Sequence, residues 1–127
     1  MSDKTIAQKL LIKPKHTVRL VNAPRGYAET MGALPAEAKL VTKSAPAVDV
    51  LQVFVKDMAE LKKWLPTLKD AVKAGGLLWI TYPKGTSAVK TDVNRDIIAA
   101  YSNTVGWQVV AICSVDDTWS AMRMKRL

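Results

Sequence analysis

The chain has 127 residues, of which 49% are hydrophobic and 24% are charged. This length and composition favour one globular domain over residues 1–127 with a sizeable hydrophobic core. No apolar run approaches the roughly 18 residues that a membrane-spanning helix needs, and a single cysteine, Cys113, excludes an internal disulfide. We therefore expect a cytoplasmic protein that does not associate with a membrane.

The first part of the chain predicts short elements separated by proline and glycine turns. An amphipathic helix is expected from Asp3 to about Leu11. Residues 17–22 and 38–42 are rich in β-branched and apolar side chains, which predicts two strands. The turn after the first strand contains both proline and glycine, and residues 26–31 favour a helical turn.

The middle of the chain predicts a strand–helix–strand unit. Residues 48–55 are mostly apolar, as expected for a strand that is covered on both faces. Asp57 occupies the N-cap position of the next helix, and apolar residues at spacings of three and four continue through Val72, with a break at the internal proline. Gly75–Gly76 is expected to end the helix in the left-handed conformation, before a buried strand over 77–82.

The last third of the chain predicts another helix and two strands. Thr91 or Asp92 is expected to cap the helix, and Gly106 to end it. Residues 107–113 form a strand, and a tight turn at Asp116–Asp117 leads to a strand over 118–125. The predicted inner face of the helix consists of Val93, Ile97, Ala100 or Tyr101, and Val105.

The order of these elements indicates the fold class. Strand–helix–strand alternation between residues 48 and 113 implies parallel strands joined by right-handed crossovers. The final strand must be antiparallel, because only a short turn precedes it. The predicted fold is therefore α/β, a three-layer Rossmann-like mixed sheet with mostly parallel strands and a C-terminal antiparallel strand. Methionines alternate with cations near the C-terminus, which predicts that this last strand is an edge strand protected by charge.

The net charge of +8 raises the question of an anionic partner. Residues 1–43 hold eight basic and three acidic side chains, without an arginine-rich run. Aromatic and basic residues do not interleave in the manner of proteins that bind single strands. An anionic small molecule, a second copy of the chain or another protein is therefore favoured as partner over nucleic acid.

The carboxyl ends of the parallel strands form the predicted binding edge, because ligands of open α/β sheets bind there. Loop 84–92 is the best candidate for anion contact, since two lysines, two hydroxyls and a glycine precede a helix N-terminus. A solvated connector with an ordinary helix cap is the alternative, and the loop does not match a P-loop. The predicted ligand-binding residues are Asn22, Arg25, Gly26, Tyr82, Lys84, Thr86, Ser87, Lys90, Asp117 and Trp119.

Residues with catalytic potential lack the partners that a reaction needs. Asp116–Asp117 could act as a metal-binding or acid–base pair, but a hairpin turn is the favoured interpretation. His16 has no nucleophile pattern beside it, and one histidine with Cys113 cannot supply the usual zinc ligands. Trp119 either stacks on a planar ligand or packs under the terminal hairpin, and packing is favoured. We therefore expect no catalytic residue and no metal.

Two sets of motifs resemble known families. Residues 48–54, a helix containing Leu-Pro and the run Lys73–Ile80 with its double glycine resemble the second half of class I S-adenosylmethionine-dependent methyltransferases. That resemblance implies a Rossmann-like sheet closed by an antiparallel hairpin. Trp79–Lys84, Thr91–Arg95 and Asp116–Ser120 resemble a family of short bacterial proteins with no assigned activity.

The methyltransferase resemblance also implies a cofactor site, from which the sequence departs. Such enzymes carry a Gly-rich turn after the first strand, whereas Asn22–Gly26 has one glycine and a bulky arginine. They place an acidic residue after the second strand, whereas Thr42–Ser44 is basic. No cofactor is therefore expected. The favoured function is a non-catalytic Rossmann-like module that binds an anionic small molecule or a protein. The alternatives are a degenerate methyltransferase relative and a basic nucleic-acid-associated protein.

Overall fold

The computed structural model describes residues 5–32, 34–41, 47–84 and 91–127. The helices are α1 (Ile6–Lys9), α2 (Tyr27–Met31), α3 (Met58–Trp64), which a 3-10 turn at Leu65–Thr67 follows, and α4 (Arg95–Thr104). The strands are β1 (Thr17–Val21), β2 (Lys39–Val41), β3 (Val48–Phe54), β4 (Val72–Pro83), β5 (Trp107–Ser114) and β6 (Trp119–Arg126). Each predicted strand is present, and only β4 differs by more than two residues at an end.

The six strands form one mixed sheet in the order β2-β1-β3-β4-β6-β5. β1 pairs in parallel with β2 and β3, and β3 pairs in parallel with β4. β6 is antiparallel to both of its neighbours, β4 and β5. The predicted fold class is confirmed, but β6 is not an edge strand. It lies between β4 and β5, where Met122 and Met124 are buried, and the cations Lys125 and Arg126 are exposed at its end.

Both faces of the sheet are covered, which gives three layers. Alternate residues of β3 and β4 point to opposite sides. Leu51 and Ile80 belong to the cluster that includes side chains of α3 and α4, whereas Val50 and Trp79 belong to the cluster that includes α1 and α2. Trp79 Nε1 donates a hydrogen bond of 3.0 Å to the carbonyl of Leu10, which fixes the N-terminal segment to the sheet. Among the described helices, none is long and apolar enough to cross a membrane.

The predicted helix through Val72 is wrong, and the double glycine serves a different element. α3 ends at Trp64, and the break at the internal proline is confirmed by the 3-10 turn that follows. Val72 begins β4, and the pairing register jumps from Val48↔Val72 to Val50↔Leu77. The residues between form a bulge in which Gly75 has a φ of +79°. Gly75–Gly76 therefore shapes a strand rather than ending a helix.

The N-cap of α4 is Asn94 rather than Thr91 or Asp92. Its side chain accepts a hydrogen bond of 2.9 Å from the Ile97 amide. Asp92 instead accepts a bond of 2.8 Å from the amide of Met58, at the start of α3. The register of α4 buries Ile98 and leaves Ile97 39% exposed, so the predicted inner face is wrong at Ile97. Gly106 ends the helix with a φ of +89°, as predicted.

Candidate functional site

The carboxyl rim consists of the described residues that follow β1, β3, β4 and β5, and Asn22 is its first polar residue. Asn22 comes directly after β1 and has a φ of 59°, which turns the chain sharply. Its Nδ2 donates one hydrogen bond of 2.8 Å to the carbonyl of Phe54 and another of 2.8 Å to Glu60 Oε2. The side chain of Asn22 therefore ties the carboxyl end of β1 to that of β3 and to α3.

Glu60 is the partner that sequence analysis missed. Its Oε1 accepts a hydrogen bond of 2.6 Å from the Lys56 amide, and its own amide donates a bond of 3.0 Å to Asp57 Oδ1. Asp57 is thus the N-cap of α3, as predicted. An acidic residue three positions after an N-cap is the pattern of a capping box, which could have indicated that Glu60 folds back toward the rim.

Trp119, the first residue of β6, also packs at the carboxyl rim. Its ring meets the ring of Phe54 edge to face at a centroid distance of 5.2 Å, and Phe54 meets Tyr27 at 4.5 Å. Only 9% of Trp119 is exposed, which agrees with the favoured packing interpretation. The cavity that remains has a volume of about 230 Å³ and is lined by Asn22, Ala23, Pro24, Lys56 and Trp119.

A separate cavity of about 270 Å³ lies where β4 leaves the sheet, and Tyr82 and Lys84 line it together with the start of α4. The Lys84 amide donates to the carbonyl of Thr118 at 2.8 Å, and its Nζ donates to Ser114 Oγ at 2.6 Å. Burial raises the pKa of Tyr82, so its hydroxyl is protonated at neutral pH. These contacts join the end of β4 to the β5–β6 turn.

Three other predicted ligand-binding residues within the described part of the chain do not line either rim cavity. Arg25, Gly26 and Asp117 are exposed, and Gly26 begins α2 with a φ of 83°. Asp116 organises the β5–β6 turn, because its Oδ1 accepts from the amide of Trp119 at 2.9 Å and from that of Thr118 at 2.8 Å. Thr86, Ser87 and Lys90 lie outside the described residues. The described members of the predicted set are divided between two cavities and exposed loops, and the role of the set in ligand binding stays a prediction.

A buried chain of hydrogen bonds runs beneath the rim. Tyr27 Oη donates to Gln52 Oε1 at 3.0 Å, and Gln52 Nε2 donates to Thr81 Oγ1 at 3.0 Å. Gln52 and Thr81 are completely buried, so each polar atom needs the partner that it has. Burial raises the pKa of Tyr27 well above its usual range. This chain is structural, because it connects α2 to the two central strands below the surface.

No group of three or more histidine, cysteine, aspartate or glutamate side chains that could hold a metal ion occurs in the described parts of the chain. Cys113 lies half-buried in β5, and burial raises the pKa of its thiol. A protonated thiol is a poor nucleophile and a poor metal ligand. The described residues therefore do not form a metal centre.

The sheet order and the terminal antiparallel pair define the class: this is the fold of class I S-adenosylmethionine-dependent methyltransferases. A DhpI–SAH complex matches with a TM-score of 0.64 at 10% identity, over 95% of this chain and 82% of that one. A ribosomal protein L11 methylase from Lactobacillus delbrueckii subsp. bulgaricus matches with a TM-score of 0.60 at 13% identity, over 95% and 74%. A TehB-like SAM-dependent methyltransferase from Corynebacterium glutamicum matches with a TM-score of 0.59 at 10% identity, over 99% and 89%.

These structures share the fold of this chain and little of its sequence. No protein-family model and no curated protein matches the chain. At such low identity, the likeness establishes the architecture alone. The predicted resemblance to methyltransferases is thus confirmed for the fold.

The fold implies S-adenosylmethionine at the carboxyl rim, and the described residues there do not fit it. The Asn22 side chain bridges the ends of β1 and β3, and Glu60, the carboxylate that it meets, already accepts a backbone amide as well. The cavity beside them holds about 230 Å³, whereas sites for small molecules are usually roughly 300–1,000 Å³. Pro24 and Arg25 occupy a turn where close approach of a ligand to the backbone would require glycine.

Proposed function

We propose that this chain is a degenerate relative of S-adenosylmethionine-dependent methyltransferases that keeps their fold without binding the cofactor, and that it functions as a binding module. The observation that carries the proposal is the Asn22 bridge, which joins Phe54 and Glu60 across the crevice between β1 and β3. The likeness of the fold to methyltransferase structures supports common ancestry. It does not determine activity, which depends on the residues of the site.

A cofactor in this crevice would have to displace hydrogen bonds that the protein already makes. A ligand in this crevice would break two hydrogen bonds of Asn22, one of them to a carboxylate. Hydrogen bonds to charged groups contribute about 1.5–3 kcal/mol, although the exposure of Asn22 places this one at the low end. Both oxygens of Glu60 and Oδ1 of Asp57 already accept hydrogen bonds from the protein, which reduces their capacity to accept from the ribose hydroxyls. In this crevice, hydrogen bonds between protein groups therefore stabilise the fold and take the place of contacts to a ligand.

The test is isothermal titration calorimetry of the full chain with S-adenosylmethionine. We expect no saturable heat. A variant that opens the crevice, Asn22→Gly, is a useful companion, since glycine adopts the φ of 59° found there without strain. Circular dichroism would establish that the variant is folded.

A saturable heat with a Kd below about 100 µM for the unchanged protein would overturn the proposal, because such an affinity requires a formed site. Methyl transfer would then become the leading function. If only Asn22→Gly gains binding, the bridge is what excludes the cofactor, and the proposal is strengthened.

A further inference from the structure

A cavity lies at the opposite end of the sheet from the carboxyl rim, where β1, β3 and β4 begin. This amino-end cavity has a volume of about 340 Å³, larger than either rim cavity. Its volume falls within the range of sites that hold small molecules. Segments far apart in the sequence line it: Leu11, Lys13, His16, Asp49 and the run Lys73–Leu77.

The bulge of β4 forms one wall of the amino-end cavity. β3 advances by two residues between Val48 and Val50 while β4 advances from Val72 to Leu77, so the extra residues project from the sheet. Gly76 lies so close to β3 that an added Cβ would come within 2.8 Å of the Asp49 carbonyl oxygen. Bulges of this kind often occur next to functional sites, because they re-aim the chain.

Asp49, the carboxylate that lines the cavity, already has its partners. Its Oδ2 accepts a hydrogen bond of 2.8 Å from the Thr17 amide, and its Oδ1 accepts one of 3.3 Å from Lys73 Nζ. The bond from Thr17, with a smaller contribution from Lys73, lowers the pKa of Asp49. Asp49 is thus a fixed anion that positions Lys73 at the edge of the cavity.

His16 adds a hydrogen-bond donor. Its Nδ1 accepts a bond of 3.1 Å from the Lys13 amide, so the proton of the neutral ring lies on Nε2. Nε2 makes no hydrogen bond within the described part of the chain, and the residue is only partly exposed.

The polar and apolar parts of the lining together point to one class of ligand. Lys13 and Lys73 outnumber Asp49. Beyond the bulge, a neighbouring cavity of about 320 Å³ shares Lys73 and adds Lys125 and Arg126. Leu11, which is 41% exposed, and Leu77 supply apolar surface.

We propose that the amino-end cavity binds a small organic anion, with the acidic group near Lys13, His16 and Lys73 and an aliphatic or aromatic body against Leu11 and Leu77. Donors at the mouth match acceptor oxygens, and charged partners strengthen such bonds. This site lies at the other end of the sheet from the crevice between β1 and β3. The proposal is therefore independent of whether the crevice has lost its cofactor.

The probe for the test is 8-anilinonaphthalene-1-sulfonate, which combines one anionic group with an aromatic body. In amide NMR spectra of the unchanged protein, saturable shifts are expected at Thr17, Asp49 and Lys73–Leu77. Shifts that cluster at Asn22 and Lys84 on the carboxyl rim, or that do not saturate, would overturn the proposal.

Substitutions then separate the contribution of charge to probe binding from the contribution of apolar contact. Lys73→Met and His16→Asn should each raise the Kd of the probe about threefold to fivefold, the effect of a partly exposed polar contact. Asn can still accept the bond from the Lys13 amide, so His16→Asn keeps that contact while removing the Nε2 donor. Lys62→Met on α3 makes the same charge change elsewhere and should leave the Kd unchanged.

Nile red, a neutral apolar dye, is the second probe, and its binding should be unaffected by Lys73→Met. If Lys62→Met weakens the anionic probe as much as Lys73→Met does, net charge rather than the cavity attracts it, and the proposal is wrong.

Discussion

Gly76→Ala tests the bulge in β4 more directly than any other single substitution. A Cβ at this position would lie 2.8 Å from the carbonyl oxygen of Asp49, 2.8 Å from Val72 Cγ2 and 2.9 Å from the carbonyl oxygen of Lys73. Two of these three atoms belong to the backbone, so they cannot rotate away as the end of a side chain can. The pairing of Val50 with Leu77 would have to shift.

The size of the effect follows from two opposing terms. Overpacking of this kind typically costs about 1–3 kcal/mol. Replacing glycine by alanine at a position without a positive φ recovers about 0.4–1 kcal/mol, because the unfolded chain loses conformational freedom. We therefore expect Gly76→Ala to lower the free energy of unfolding by about 1 kcal/mol.

Urea unfolding followed by circular dichroism and tryptophan fluorescence measures this change. With an m-value of about 2 kcal/mol per molar urea, the midpoint should fall by about 0.5 M without a change in slope. Gly75→Asn is the matched control, because that position has a φ of +79°, no atom lies within 4 Å of an added Cβ, and asparagine tolerates such a φ. A midpoint for Gly76→Ala equal to that of the unchanged protein would refute the close approach of β4 to Asp49.

Two further predictions concern the buried chain beneath the rim. Gln52→Met preserves the volume of the side chain but leaves the hydroxyls of Tyr27 and Thr81 without their hydrogen-bond partner. The free energy of unfolding should therefore fall by about 1–3 kcal/mol. An unchanged midpoint of urea unfolding would contradict the hydrogen-bond chain. Because burial raises the folded-state pKa of Tyr27, its contribution to stability is present below the unfolded value near 10 and is lost as the pH rises above it. As the pH is raised from neutral to about 11, the free energy of unfolding should therefore fall less for Tyr27→Phe than for the unchanged protein. Parallel plots of unfolding free energy against pH for the two proteins would refute this reasoning.

The two ends of the sheet differ in whether protein side chains contact each other or line a cavity. At the carboxyl rim, side chains of the protein meet each other: Asn22 with Glu60, and Trp119 with Phe54. At the amino end, a backbone bulge opens a cavity whose mouth presents donors. The proposed ligand site therefore lies at the end of the sheet opposite to the usual crevice of α/β folds.

Local sequence was sufficient for the strands and for part of the capping. Apolar runs such as residues 48–55 specify buried strands, since a strand covered on both faces has no polar side. Asp57 was identified as an N-cap because its side chain meets an amide only three residues away. The Asp92 side chain bonds an amide 34 residues away, which no local pattern indicates. The cap of α4 was therefore misplaced.

The candidate sites were harder to predict than the fold. Sequence analysis placed Asn22 and Lys84 at the carboxyl ends of strands and Trp119 at the start of the reversed strand on the same rim, and strand direction alone was enough for that. It could not pair Asn22 with Glu60, because the two residues are 38 positions apart. Asp49 carried a weaker signal, as a lone charge within an apolar strand, and its contact with Lys73 arises from the pairing of β3 with β4.

The sequence by itself determined the class of the fold, because hydrophobic periodicity and turn residues act over a few positions. The tertiary structure decided how Gly75–Gly76 is used. In isolation two glycines after apolar residues favour the end of a helix, whereas here a neighbouring strand comes within 2.8 Å of the position that a Cβ of Gly76 would occupy. That close approach involves chain segments that are distant in sequence. The same contact between β3 and β4 creates the cavity at which we expect a ligand to bind.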